Sequence, residues 1–214
     1  MTSLLSSVAS AATTGRRTVL GIGGTLRPGS SSEQALRIAL AAAADRGANT
    51  EILTARDLNF PMYDPGNGPL DPAAGRFLDA VRRADGLIIA TPGYHGGTSG
   101  LLKNALDYLQ ELAGDPVPYL DGKAVGCLVT ASGWQAGGTT LTSLRAIVHS
   151  LRGWPTPLGV MINSSDQPFG PDGTVTDPKL GRQLTTLGEQ VLSFARAQLA
   201  SVFACPLRGQ PSAL

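Results

Sequence analysis

The chain has 214 residues, a formal net charge of +1 and only 15% charged residues. That length suits one domain with a full core, and the near-neutral balance leaves no electrostatic footprint for nucleic acid or an anionic membrane surface. A 42% hydrophobic fraction and 27 glycines fit a buried parallel sheet joined by many tight turns.

Residues 1–15 are rich in Ser, Ala and Thr, carry no acid, and precede Arg16-Arg17. The apolar run after that arginine pair is only about a third of the apolar core a twin-arginine export signal needs. No segment approaches the roughly 20 apolar residues of a membrane span. Residues 1–16 are therefore read as a disordered tail, with an organellar transit peptide as the alternative. A single domain then covers 17–202, and 203–214 form a second tail. Cys127 and Cys205 are the only cysteines; they make no metal-ligand or iron–sulfur spacing and no disulfide framework. That usage points to a reducing compartment and a cytoplasmic protein, with no metal site.

Residues 19–32, VLGIGGTLRPGSSS, read as a strand that delivers a loop to the start of a helix. Val19, Leu20 and Ile22 form the apolar run, Gly23-Gly24 stop it, and Ala35, Leu36, Ile38, Ala39 and Leu40 follow at helical spacing. The glycine patterns of nucleotide triphosphatases and of dinucleotide-binding Rossmann domains are both absent. Thr25, Ser30, Ser31 and Ser32 supply hydroxyls, and Arg27 a fork-shaped charge, at a helix N-terminus. That combination suits a terminal phosphate monoester. The same serines also suit an ordinary helix cap, and the loop alone leaves both readings open.

Residues 49–53 read as a second strand, followed by a long loop punctuated by Pro61, Pro65, Pro69 and Pro72 and a helix over 73–84. The unbroken apolar run 86–91 marks a central strand covered on both faces. A Gly-rich loop over 92–100 and a helix over 101–112 come next. A fourth strand at 123–130, a loop at 131–138, a helix at 139–152 and a fifth strand at 157–162 continue the alternation. A turn-rich connection then leads to a closing helix at about 178–201. Strands alternating with helices predict an α/β fold with a five-stranded parallel sheet. Ligands of such sheets sit outside the carboxyl ends of the strands. There GGTLRPGSSS, TPGYHGGTSG and ASGWQAGGTT converge, which fits a flat aromatic ligand carrying a phosphate.

The set GGTLRPGSSS, LIIATPGYHGGTSGLLKNALDYL and LVTASGWQAGG resembles the NADPH-dependent FMN reductases, over roughly residues 18–200. The resemblance implies a flavodoxin-like three-layer sandwich with strand order 2-1-3-4-5, FMN as cofactor and NADPH as reductant. Electrons would pass to free flavin, a quinone or another small acceptor. It also implies FMN contacts from Thr25, Arg27, Ser30 and Ser32 to the phosphate. Pro92, Gly93, Tyr94, His95, Gly96, Ser132, Gly133 and Trp134 would lie along the ring, with no catalytic side chain because the flavin carries the hydride. This sequence departs from the family pattern at Gly93, where many members have Glu, and at His95, where many have Asn. A specialised FMN-dependent dehydrogenase or reductase of one metabolite, and an electron-transfer flavodoxin, are the alternatives.

Each of these residues also has a plain structural role open to it. Arg27 suits a surface ion pair, Tyr94 a packed loop aromatic and His95 an exposed loop residue; Lys103 and Asp107 have the spacing of a helix-surface pair. Leucines almost all round the 101–112 helix, with Tyr108, lead to the expectation of a homodimer or homotetramer.

Overall fold

The structure, a computed structural model, describes residues 15–66 and 68–204, with side chains to Gln198. The expected tails fall outside the described residues up to position 14 and from position 205, Cys205 included. The elements run β1 (Thr18–Gly23), α1 (Ser31–Asp45), β2 (Asn49–Leu53), α2 (Pro72–Arg83), β3 (Gly86–Tyr94), β4 (Gly97–Thr98) and α3 (Gly100–Asp107). A 3-10 turn (Tyr108–Leu112), β5 (Ala124–Ala131), α4 (Trp134–Ser150), β6 (Trp154–Pro155), β7 (Val160–Asn163), a second 3-10 turn (Ser164–Asp166) and α5 (Pro178–Ala204) complete the chain.

The sheet order is β2-β1-β3-β5-β6, with β7 also on the outer side of β5. All of these pairings are parallel. The expected 2-1-3-4-5 order holds, with the fifth strand split in two: β6 pairs with the start of β5 and β7 with its end. The strand expected at 157–162 is thus β7, at Val160–Asn163. Pro155 and Pro157 flank the break, and neither offers an N–H to a ladder. Between them Thr156 N–H donates to Val125 O, and the Leu158 N–H turns away to Gln190 Oε1 at 3.2 Å.

Apolar side chains bury on both faces of the sheet. Helices α2, α3 and α4 cover one face through Phe77, Leu78, Leu102, Leu106 and Leu144 against Leu20, Ile22, Leu87, Ile89 and Val129. Helices α1 and α5 cover the other through Leu36, Leu40, Leu184, Leu187 and Val191 against Val19, Ile88 and Leu128. The two helices on this side touch backbone to backbone. A Cβ at Gly188 would lie 2.1 Å from Ala39 O, so only glycine permits the approach.

The apolar excess read from residues 101–112 is absorbed inside the chain. Leu102, Leu106, Tyr108, Leu109 and Leu112 are all buried, because the helix tightens at Tyr108 into a 3-10 turn that keeps them on the core. Of the leucines in this stretch Leu101 alone is left partly exposed. The helix expected at 139–152 begins five residues earlier, at Trp134. Gly137 and Gly138 are each about 1 kcal/mol poorer than Ala in a helix, which hid the first turn. Gly137 serves packing, since a Cβ there would lie 2.5 Å from the Met161 sulfur.

Two buried polar residues tie down the loops that leave the sheet. Asn104 accepts from Tyr63 N–H at 2.8 Å and donates to Pro61 O at 2.9 Å, and Tyr108 OH also donates to Pro61 O. Ser99 caps α3 by accepting from Leu102 N–H, and its hydroxyl donates to Gly24 O. Among the described residues no helix is long and apolar enough to cross a membrane.

Candidate functional site

The loops leaving β1, β3 and β5 meet at the carboxyl edge of the sheet and form one cleft. Its walls are Thr25, Arg27, Ser30, Ser31 and Ser32 from the first loop, Pro92, Gly93 and Tyr94 from the end of β3, and Thr130, Ala131 and Ser132 from the end of β5. Ser164 closes one side. At about 230 Å³ the cleft is smaller than the roughly 300–1,000 Å³ of pockets that enclose a whole ligand. Larger clefts lie elsewhere among the described residues, among them ones of about 570, 640 and 310 Å³. The first is lined by Arg17, Asp85 and Lys123 near the strand starts, the edge opposite the one where α/β sheets bind ligands.

The first loop gathers hydroxyl groups at the N-terminus of α1. Ser30 is the N-cap of α1 and accepts from Glu33 N–H at 3.3 Å, while Ser30 Oγ and Ser32 Oγ share a hydrogen bond of 3.1 Å. Thr25 Oγ1 accepts from Arg27 N–H at 3.2 Å, which leaves its own O–H free to donate outward. Helix geometry leaves the first N–H groups of α1 without intrahelical partners. The Arg27 side chain is exposed and makes no hydrogen bond or ion pair with any described residue. The surface pair that competed for it is therefore not formed.

Gly29, at φ +64°, is gripped on both polar groups by the helix it precedes. Its N–H donates to Glu33 Oε2 at 3.1 Å and its carbonyl accepts from Gln34 Nε2 at 3.0 Å. Arg37 neutralises Glu33 through bonds of 2.7 and 3.0 Å. One acid thus stands in the first turn of the cradle with its charge compensated.

The stretch expected as a loop at 92–100 is in large part a hairpin. Gly93 pairs with Thr98 and Tyr94 with Gly97, both antiparallel. The turn residues His95 and Gly96 have φ of 52° and 81°, the double positive φ of a tight type I′ turn. Asn is the favoured residue at the first of these positions, and His is among the few others that tolerate it. His95 therefore keeps the backbone that an Asn would give. Tyr94 and Trp134 are 56% and 58% exposed, so neither is a packed core aromatic.

Of the residues singled out in the sequence, Thr25, Arg27, Ser30, Ser32, Pro92, Gly93, Tyr94 and Ser132 line the cleft. His95, Gly96, Gly133 and Trp134 do not line it: the first two turn the hairpin and the last two begin α4. In the segment after Ser132 the free backbone donors lie in the first turn of α4, since Gly137 N–H is already spent on Gly133 O. Gly133 makes no side-chain cap to that turn, so its N–H groups remain free of helix partners. Thr130 and Ser164 were missed. A threonine at the end of an apolar strand and a serine in a turn-rich connection carry no motif.

A doubly wound sheet with a hydroxyl-lined cradle at a helix N-terminus, and a groove between neighbouring strand ends, is the frame of a phosphate-bearing cofactor site. The chain belongs to the NADPH-dependent FMN reductase family, whose model matches residues 17–167. It is 36% identical over 120 residues to an FMN-dependent NADPH-azoreductase of Staphylococcus haemolyticus, covering 55% of this chain and 60% of that protein. A Staphylococcus aureus protein of the same name is 37% identical over 113 residues, covering 52% and 56%. The chain thus spans a little over half the length of these curated relatives. Among solved structures, FerB, an NAD(P)H:(acceptor) oxidoreductase from Paracoccus denitrificans, shares the fold at TM-score 0.69 and 19% identity. That likeness covers 85% of this chain and 98% of FerB. An apo NADH:FMN oxidoreductase, EMOB, superposes at TM-score 0.62 with 25% identity, covering 85% and 89%.

Proposed function

We propose that this chain binds FMN and acts as an NADPH-dependent oxidoreductase whose electrons go to a small planar acceptor such as a quinone, an azo compound or free flavin. The observation that carries the reading is the unpaired Arg27 guanidinium beside four hydroxyls at the N-terminus of α1. This donor set fits a phosphate monoester. When bound, FMN supplies the hydride-accepting ring.

The chain's own part is to hold and to shield. Thr25, Ser30, Ser31, Ser32 and Arg27 bind the phosphate through charge-assisted hydrogen bonds. Pro92 and Gly93 offer a flat edge with no bulky side chain, and Tyr94 stands beside it. The uncapped first turn of α4 follows Ser132 of the cleft, and its N–H groups and the positive end of the helix dipole would favour the more negative, reduced form of a bound FMN. Among the described residues the cleft is lined by hydroxyls, the Arg27 guanidinium and small or apolar groups. One open face serves donor and acceptor in turn. A homodimer and a cytoplasmic setting complete the proposal. The dimer rests on the family resemblance, and the setting on cysteine usage.

The test is the initial rate of NADPH oxidation over a grid of NADPH and quinone concentrations, with FMN-loaded protein. Parallel double-reciprocal lines are expected for a shared face. Intersecting lines reject the shared face, and no oxidation of NADPH or NADH favours the electron-transfer flavodoxin.

A further inference from the structure

A second cleft, of about 310 Å³, opens beside the end of β2 and is lined by Leu53, Arg56, Ala73, Arg76 and Phe77, among others. Three acids also line it, and each already has a partner. Glu51 pairs with Arg83 at 3.4 Å, Asp79 with Arg82 at 2.8 Å, and Asp57 accepts from the Thr54 N–H and hydroxyl at 2.8 and 3.3 Å. Arg56 and Arg76 are exposed and make no hydrogen bond or ion pair with any described residue. Two unpaired guanidiniums thus face one cleft whose three acids all have hydrogen-bond partners, two of them arginines.

This cleft adjoins the cradle. Ile22 pairs with Leu53, so the ends of β1 and β2 leave the sheet side by side, roughly 5 Å apart. Thr25 follows two residues after Gly23, and Arg56 two residues after Thr54. Across the carboxyl edge the order is therefore the Arg56–Arg76 cleft, the phosphate cradle, then the ring groove at β3 and β5. A dinucleotide with its nicotinamide over the ring groove and its far end across β1 reaches β2.

We infer that Arg56 and Arg76 form an anion subsite for the adenosine 2′-phosphate of the reductant. The inference rests on the reading that the chain oxidises NADPH. Planar guanidiniums match phosphate oxygens in pairs, and a 2′-phosphate is the one group that NADPH has and NADH lacks. These two residues are thereby the determinants of coenzyme choice.

The experiment compares wild type, Arg56→Gln, Arg76→Gln and Arg76→Lys as FMN-loaded full chains. KM and kcat are measured for NADPH and NADH, and calorimetry measures the binding of adenosine 2′-monophosphate against adenosine 5′-monophosphate. In each Gln variant the KM for NADPH should rise about tenfold or more, the scale of a lost charge-assisted bond. NADH kinetics, kcat and FMN affinity should hold, Arg76→Lys should recover part of the loss, and 2′-monophosphate binding should fall with the KM change. An unchanged KM for NADPH, or equal rises for NADPH and NADH, overturns the subsite. Inorganic phosphate competing as well as the 2′-nucleotide reassigns the cleft to free phosphate and overturns the occupant. Wild type oxidising neither coenzyme sinks the parent reading instead, and the calorimetric arm still decides the subsite.

Discussion

Thr140 fills the space that a side chain at position 93 would need: a Cβ on Gly93 would lie 2.8 Å from Thr140 Oγ1 and 3.3 Å from Ala131 Cβ. Thr140 is fully buried, and its hydroxyl donates to Gly97 O at 3.4 Å, tying α4 to the hairpin. The glutamate common at this position in the family has no room here while Thr140 stands. Gly93 and Thr140 are one structural decision, made on two elements 47 positions apart.

Gly93→Ala should therefore destabilise the fold by about 1–3 kcal/mol, the cost of overpacking. In a Thr140→Ala background the same change should cost at least about 0.5 kcal/mol less, since the two positions are in contact. Urea denaturation of the four proteins of this cycle reads the coupling, and simple additivity would show that the two residues do not share the space.

Arg27→Ala should weaken FMN binding by about 1.5–3 kcal/mol, the range of a charged hydrogen bond, and leave riboflavin binding unaltered. Flavin fluorescence titration with both ligands makes the comparison. Equal losses for both would remove the phosphate from the first loop.

Lys123 Nζ donates to Val81 O, Arg82 O and Ala84 O at 2.6, 3.1 and 2.7 Å, closing the C-terminus of α2. Burial pulls its pKa down to about 8 from 10.5, against an opposing pull from Asp85. Between those two pH values the unfolded chain holds the proton more tightly than the folded one. This group's contribution to stability therefore rises with pH from about 8 to about 10.5. Lys123→Met should lower stability by about 1–3 kcal/mol through the abandoned carbonyls. The gap between wild type and variant should widen over that pH window in parallel denaturant titrations. A gap that narrows with rising pH would mean that the three carbonyls outweigh burial.

Cys127 is fully buried in β5, and burial pushes its thiol up to about 12. At pH 8 it is a thiol rather than the reactive thiolate. Iodoacetamide should leave the peptide carrying Cys127 unmodified in the native protein and alkylate it fully in 6 M guanidinium. Mass spectrometry of the digest reads both states, and native labelling would place Cys127 within reach of solvent.

Long apolar runs and paired glycines made the sheet legible. The runs 86–90 and 124–129 lie in central strands because nothing polar interrupts them, and Gly23-Gly24 ends β1 where the hydroxyl-rich loop begins. The misjudged elements are those where tertiary contact overrules local preference. Gly137 weakens a helix by itself, yet it is the residue that lets Met161 pack against α4. The leucines of 101–112 looked surplus because a straight helix splays them, whereas the 3-10 turn gathers them onto the core. The hydroxyl cradle announced itself through composition. Thr130 and Ser164 reach the same cleft from backgrounds without a motif, and only the folded chain brings them there.

Asn104 holds the backbone on either side of Met62, through Pro61 O and Tyr63 N–H, while the Met62 side chain is 77% exposed. Position 62 is thus a free side chain on a fixed mount at the carboxyl end of the sheet. Substitutions there change size, polarity or charge while the mount stays still, and surface changes of this kind shift stability by no more than about 0.5 kcal/mol. For evolution or a protein engineer, residue 62 is a dial that can be turned without loosening the machine.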